Sequence, residues 1–494
     1  MVCGLPVCVG VCWCGTTRGQ LSLSAVKSVE NGKTLGPLSH SCPRYPIMPL
    51  TLQQLEGIRA ECHADDVEIS LAAMSLYSEE EARAYFESGG KVVPQSAAGA
   101  AGASSDELKQ KGNALLKEGN MRGAIEAYQA AIAAAGPAAD VSAINSNLSM
   151  VLLKNGQPEE SLLAADASVS SKPDWPKAHY RRGESLFALR RYDEASAAYK
   201  RALEVLAPAP DAEISRALSL AEEAAKGGVF MRQLLPGREI AVAPTTQEEG
   251  LIFGAAKQMQ NFIYLVGDAT TREVYVFDAC WDPRGIASYA ARQKVKIVAA
   301  LPTHYHFDHA GGAVPPHLAA MVYGPFGGKR PGGGEPWLAG LHEMGREYGC
   351  KLYCHSAELS KLAEQCKLEE SELTPLEQGS TMPLGNAGEL EILHTPGHTR
   401  CSICICVKEA NKGGACHSLY SGDTIFPGSC GRLDFPDSDK NTMFDSLIKL
   451  RALDDAVPVY PGHAYSGDST TIGREKKNGL LREFSREVWV GLMG

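Results

Sequence analysis

Three stretches of this chain are copies of one another. AIEAYQAAI from Ala124 superposes on SLLAADASV from Ser161 and on ASAAYKRAL from Ala195, at spacings of 37 and 34 residues. Repeats of this period are helix pairs too small to bury their own apolar faces, so neighbouring pairs stack into a solenoid. Each copy keeps the same packing logic. Gly112, Ser149 and Gly183 are small enough to let paired helices approach, while Leu115, Tyr128, Leu186 and Tyr199 fill the space beside them. Pro137, Pro173 and Pro208 stop the second helices. The pattern predicts three helical hairpins and a solvating helix over roughly 212–226, together an all-α domain at residues 105–227.

A solenoid of that size leaves most of the 494 residues unassigned, and a chain this long forms two or three cores rather than one. After Gly227 and Gly228 the texture changes. NFIYLVGD from Asn261, EVYVFDA from Glu273 and KVKIVAAL from Lys294 read as strands. Helix-like stretches follow at 337–348 and 357–365, and ELEILH, CSICICV and HSLYSGD read as strands again. Mixed strand and helix over this length predict an α/β domain at 236–494. Residues 1–104 are expected to be a leader and linker, mostly irregular, with short helices at LTLQQLEGIRAE and SEEEARAYFESGG before the small-residue linker PQSAAGAAGASS.

A net charge of -10 gives no overall field favouring phosphate backbones or anionic lipid, which argues against nucleic acid or a membrane surface as principal partner. No apolar run reaches the ~20 residues of a spanning helix. The fifteen cysteines are scattered through helices and strands, as in a reducing, cytoplasmic compartment rather than a small disulfide scaffold. Four of them crowd the leader MVCGLPVCVGVCWCG, which lacks the basic residues that should precede a signal peptide. Acylation of those cysteines, a metal tract, organelle targeting and an untranslated stretch ahead of Met48 are the readings open there.

Behind KVKIVAAL, residues 303–312 read THYHFDHAGG. His304, His306, Asp308 and His309 thus sit within six positions on a loop at a strand's end, where a rigid sheet can hold a site open to substrate. Histidine and carboxylate are natural ligands of zinc, iron and manganese. Alternate and adjacent residues on a tight loop point to different sides, so His304 and His306 can converge on one ion while Asp308 and His309 face a second. Further candidate ligands stand at His398 in TPGHT, Asp423 in SGDT and His463 in YPGHAY, each after a strand-like run or a tight turn.

These motifs, in this order, resemble those of the metallo-β-lactamase superfamily, an αββα sandwich. The resemblance implies one metal held by His304, His306 and His398, a second held by Asp308, His309 and His463, and Asp423 bridging the pair. It implies two divalent ions, zinc first with iron or manganese as alternatives, and a shared hydroxide as nucleophile, so that Asp308 and Asp423 are catalytic as well as ligands. FPGSCGRLDFPDSD and PGHAYSGDSTTIGREKKN are similar to the hydroxyacylglutathione hydrolase (glyoxalase II) branch. That similarity places Arg432 and Tyr465 on the glycyl carboxylate of a glutathione thioester, a group that a guanidinium fork fits. Asp434 stands where that branch has an aromatic residue, and the chain ends soon after His463, short of that branch's helical C-terminal domain. The expected activity is hydrolysis of a small thioester-like substrate, with its carrier unassigned. CGRLDF and TIGREK also resemble mononuclear iron persulfide dioxygenases, the alternative reading, although PGHAY matches the hydrolases better.

The repeats carry a second candidate site. Lys109 and Asn113 lie one turn apart on the first helix, Asn147 lies in the second hairpin, and Lys177 and Arg181 lie one turn apart in the third. Three cations and two amides facing one groove would suit a peptide's carboxylate terminus. ELKQKGN, NSNLS and KPDWPKAHYRR resemble the carboxylate-clamp tetratricopeptide domains of heat-shock co-chaperones, with Leu148 in place of a frequent basic residue. The resemblance implies binding of the acidic C-terminal tails of cytosolic heat-shock chaperones. A third reading makes that binding the selected activity and the metallo domain a passenger, against which seven complete ligands argue.

Overall fold

The computed structural model describes residues 29–30, 33–34, 52–64, 79–87, 89, 103–136 and 139–493. The cysteine-rich leader, most of the small-residue linker and Pro137 lie outside them. The chain divides into two units, Met1–Pro94 and Gln95–Gly494. In the first, Val29–Glu30 (β1) pairs antiparallel with Lys33–Thr34 (β2). The two expected short helices form at Leu52–Glu61 and Glu79–Glu87 and bury Leu55, Ile58, Ala82, Tyr85 and Phe86 together.

In the second unit the repeats form three helical hairpins: Ser105–Lys117 with Met121–Ala133, Ser142–Lys154 with Pro158–Ser171, and Pro176–Ala188 with Tyr192–Leu206. Ala212–Lys226 closes the stack. Start signals are local: a capping box between Ser104 and Glu107, and proline in the first turn at Pro158 and Pro176. The small positions act as expected. A Cβ at Gly183 would lie 2.4 Å from the Tyr199 ring, so only glycine lets that ring lie against the helix. The second hairpin uses serine instead, and a buried chain of hydroxyls from Ser149 to Ser161 (3.1 Å) to Ser185 (2.7 Å) ties it to the third.

The second domain begins with β3 (Val229–Leu234), β4 (Ile263–Asp268), β5 (Glu273–Phe277) and β6 (Lys296–Leu301). A short pair, β7 (Gly312–Ala313) and β8 (Trp337–Leu338), precedes β9 (Lys351–His355) and β10 (Leu373–Leu376). There follow β11 (Thr381–Pro383), β12 (Gly388–His394), β13 (Ile403–Glu409), β14 (Cys416–Gly422), β15 (Pro458–Pro461) and β16 (Thr470–Thr471). Two six-stranded sheets result, ordered β10-β9-β6-β5-β4-β3 and β11-β12-β13-β14-β15-β16. Val266, Phe277, Leu301, Ile392, Ile405 and Tyr420 meet between the sheets. Ile286, Met344 and Leu362 cover the outside of the first, and Met443, Leu450 and Trp489 cover the second. The layers are αββα, as the resemblance implied.

Two expectations need correction. The domain starts before residue 236, because β3 is the antiparallel edge partner of β4 and buries Phe230 and Leu234 in the first sheet's core. The stretch 337–348 is not one helix. Trp337–Leu338 is held extended by pairing with β7, and the helix Leu341–Arg346 starts only where Glu343 caps the Gly340 N–H at 2.7 Å. Among the described cysteines one pair, Cys406 with Cys416, is bonded, joining β13 to β14, and eight are free. Among the described residues no helix is long and apolar enough to cross a membrane.

The solenoid meets the sandwich through paired cations. Lys294 Nζ lies 2.6 Å from Glu184 Oε1 and 4.4 Å from the Phe187 ring centroid. Tyr192 donates its hydroxyl to the Thr270 carbonyl at 2.6 Å. Arg272, only 6% exposed, bonds Glu223 at 3.3 Å, and the same carboxylate accepts from Arg232 at 3.0 Å. Ion pairs of this kind add little net energy once desolvation is counted, but they fix one geometry, because any other arrangement would leave a charge unpaired.

Candidate metal centre and peptide groove

The ligand motif leaves β6 at Leu301 and then tightens. Phe307–Ala310 forms a single helical turn, where the sequence suggested only a loop, and it carries Asp308 and His309 to within reach of His463 while the His309 ring stays 4.2 Å from that of His304. His398 follows β12, Asp423 follows β14 and His463 follows β15, so all seven side chains gather at the carboxyl ends of strands. His306 Nδ1 lies 2.9 Å from His304 Nε2 and 3.0 Å from His398 Nε2. His309 Nε2 lies 3.2 Å from His463 Nε2 and 3.6 Å from Asp308 Oδ2. Asp423 stands between these groups, 3.4 Å from His309 and 3.5 Å from His398. Every member except His306 is buried.

The surroundings aim these donors inward. His309 Nδ1 bonds Asp278 at 2.9 Å, His398 Nδ1 bonds the Arg432 carbonyl at 2.8 Å, and His463 Nδ1 bonds the Met259 carbonyl at 2.7 Å. Each leaves its Nε2 for the cleft. Asp423 Oδ1 is buried with no hydrogen-bond partner. Gly462 is needed for close approach, since a Cβ there would lie 2.5 Å from that oxygen.

The charges fit a cation. Burial pulls His304 well below the usual imidazole range, with His309 and His306 adding to it, and burial beside His398 takes His306 down to about 4. Burial also opposes charge on His309, yet Asp423, Asp278 and Asp308 push it up to about 10. Burial alone would raise Asp308 and Asp423, but the surrounding imidazoles hold both below the ordinary carboxylate value. Buried anions ringed by nitrogen and oxygen donors, one oxygen of them orphaned, match what divalent metals require.

Sequence reasoning missed part of this frame. Asp278 takes the Thr303 N–H at 2.6 Å as well as His309, Asn261 donates to Asp308 at 3.1 Å, and Trp281 holds Asn261 at 3.0 Å. The one sequence signal was the position of Asp278 directly after the strand-like run EVYVF, and in the structure its φ of 54° shows a constrained backbone there.

At the rim, Arg432 pairs with Asp434 through bonds of 2.9 and 2.6 Å and lies over the Phe435 ring. Tyr465 stacks on His463 with ring centroids 4.5 Å apart and is 53% exposed. In the groove, Asn147 Nδ2 donates to Asn113 Oδ1 at 3.2 Å, which also accepts from Tyr128 at 2.7 Å. Arg181 reaches Met150 on the neighbouring first helix, and its buried Nε has no partner. Lys177 is lowered by burial and by the nearby Arg181. Lys109 is part-buried one turn before Asn113. Among the described residues none of Lys109, Lys177 and Arg181 is in an ion pair, whereas neighbouring Arg182 bonds Asp166.

A sequence model of the metallo-β-lactamase superfamily matches residues 256–315 and 384–463, and two of the tetratricopeptide repeat match 109–176 and 176–206. The chain is similar to the probable polyketide biosynthesis zinc-dependent hydrolase PksB of Bacillus subtilis (strain 168), 24% identical over 206 residues that span 42% of this chain and 73% of that protein. It is also similar to the cytoplasmic hydroxyacylglutathione hydrolase of Arabidopsis thaliana, 27% identical over 235 residues, 47% of this chain and 75% of that one. A solved structure of the first tetratricopeptide domain of Spaghetti, bound to the HSP90 peptide SRMEEVD, is 25% identical. It covers 25% of this chain and 94% of its own, with a TM-score of 0.23.

Proposed function

We propose that this chain, in which models of the metallo-β-lactamase superfamily and of tetratricopeptide repeats match, is a cytoplasmic, metal-dependent hydrolase of small thioester-like substrates whose repeats grip the acidic C-terminal tails of heat-shock chaperones. The observation that carries the first half is the convergence of seven donors around an orphaned buried carboxylate oxygen. Two divalent ions, zinc first, held by the two triads with Asp423 between them, would supply an acidified water and a polarised carbonyl.

The chain's own groups divide the remaining work. Asp308 and Asp423 stay anionic, His304 and His306 stay neutral, and Asp278 fixes His309 in one orientation. Neither Cys280 nor Cys430 competes as nucleophile, because burial pushes Cys280 far up and Cys430 up to about 12. Arg432 meets a substrate carboxylate by exchanging Asp434 for it. That pair is solvent-exposed, so giving it up costs little. Tyr465, beside His463 at the same rim, offers its hydroxyl to the same end of the substrate. In the repeats, three unpaired cations and the joined amides of Asn113 and Asn147 support recognition of a terminal carboxylate.

The test is metal analysis of protein purified without added metal, together with turnover of S-lactoylglutathione and other thioesters with and without chelator. Two ions and chelator-sensitive turnover are expected. One iron with oxygen uptake on glutathione persulfide would replace the hydrolase with a dioxygenase. Full metal content with no turnover would leave the adaptor reading.

A further inference from the structure

Four of the five imidazoles in the cleft are fixed by a hydrogen bond at their second nitrogen. His309, His398 and His463 use the partners described above, and His304 Nδ1 lies 3.2 Å from Thr303 Oγ1. His306 is the exception. Its Nδ1 faces the cleft, and its Nε2 has no hydrogen bond among the described residues. Ring edges hold it instead: Tyr305 at a centroid distance of 4.9 Å and 76°, and Phe435 at 5.3 Å and 77°.

Tyr305 is gripped from several sides. Its hydroxyl donates to Asp437. Lys361 Nζ lies 3.3 Å from the centre of its ring and 3.6 Å from the same Asp437 carboxylate. Gln365 Nε2 donates to the Tyr305 carbonyl at 2.7 Å and to the Gly311 carbonyl at 2.8 Å. Lys361 and Gln365 are one turn apart on the helix Leu359–Cys366, so one helix face braces both ends of the ligand motif. None of this is needed to bury Tyr305, which an apolar ring would achieve as well. Its effect is to set the plane of a ring whose edge meets His306.

We infer that Tyr305 is a positioning residue, locked by Asp437, Lys361 and Gln365 so that its ring holds His306 in the orientation that the first metal requires. The inference rests on the metal-binding reading above. Loss of a ligand's support typically costs about 10–100-fold in metal affinity. A role confined to general stability would lower melting temperature without discriminating between two ions.

The experiment uses the full chain with zinc, titrated against a chromophoric chelator, with metal counted by mass spectrometry and folding followed by circular dichroism. Tyr305→Leu, which removes the ring, should weaken one of the two ions by about 10–100-fold and leave the other within about threefold of wild type. Tyr305→Phe, which keeps the ring and loses only the bond to Asp437, should recover most of that loss. Equal binding of both ions by wild type and Tyr305→Leu overturns the inference. If Tyr305→Leu does not fold, Lys361→Met and Gln365→Leu, which remove the braces on the ring and on the Tyr305 carbonyl, decide: selective weakening of one ion at unchanged melting supports the inference, and unchanged binding in both overturns it. A wild-type protein that takes up no zinc is a separate result, and sinks the metal reading itself.

Discussion

The metal cleft and the peptide groove are electrostatic opposites built to different tolerances. In the cleft, anions are buried, and nearly every donor is aimed by a partner behind it. On the repeats, Lys109, Lys177 and Arg181 are in no ion pair among the described residues, and aromatic rings steady two of them, at 5.8 Å for Lys177 over Trp175 and 5.4 Å for Arg181 over Tyr180. At the seam between the domains the same residue types are paired, Lys294 with Glu184 and Arg272 with Glu223. On the reading proposed above, both sites keep charge for a ligand, and burial sets how much depends on it. A buried uncompensated charge is far more costly than a hydrated one.

The sharpest way to break the comparison is to remove the carboxylate shared by both triads. Asp423→Asn should lower chelator-sensitive thioester turnover by at least about 10³-fold and release metal, read by kinetics and elemental analysis. Retained metal and turnover would show that the cleft does not depend on its central anion. In the groove the effect should be smaller. Lys177→Ala should weaken binding of a peptide ending in EEVD by about 10-fold, the scale of one charge-assisted hydrogen bond, and calorimetry at two salt concentrations should show the loss shrinking as salt rises. Thioester turnover should not change.

A third test lies behind the cleft. Glu358 is 2% exposed, and burial, opposed only in part by weak contacts to Cys401 and the Tyr305 backbone, pushes its carboxyl up to about 8. The folded state thus holds this proton more tightly than the unfolded chain, whose carboxyl has its ordinary value of 4.5. Its contribution is complete below pH 4.5 and is lost as pH rises through 8. Glu358→Gln should remove that slope and leave the variant more stable than wild type at pH 9, by on the order of 2 kcal/mol in denaturant titrations. The smallest effect is expected at the seam between the domains. Lys294→Met should cost about 1 kcal/mol, because the methionine still covers Phe187, and a double cycle with Glu184→Gln isolates the ionic part.

The donors of the cleft were legible because they are chemically rare residues packed at short spacings, and the repeats because three copies fall nearly in register. What escaped was whatever depends on the far side of a sheet. Asp278 is an ordinary aspartate in sequence and meets Thr303 and His309 only because β5 and β6 run parallel as neighbours. Gln365 and Lys361 look like routine helix-surface residues until that helix is laid beside Tyr305. Strand β3 was missed because VFMRQL alternates weakly and follows two glycines, so its assignment waits on its pairing with β4. In the groove, residue types were readable, but the absence of counter-charges was not.

The seam carries one more consequence, and it concerns lifetime rather than rate. Ala212–Lys226 runs through two glycines into β3, while Lys294 and Arg272 tie the third hairpin and the closing helix to the turns flanking β5 and β6. Melting the repeats would strand those two cations against an emptied surface at the root of the strand that delivers THYHFDH. A tail held in the groove at a hundred times its dissociation constant adds about 2.7 kcal/mol to the folded repeats. If the proposed tail binding holds, Glu184 and Glu223 extend part of that protection to the sandwich, so the occupied protein would outlast the empty one in heat or protease with its proposed turnover unchanged.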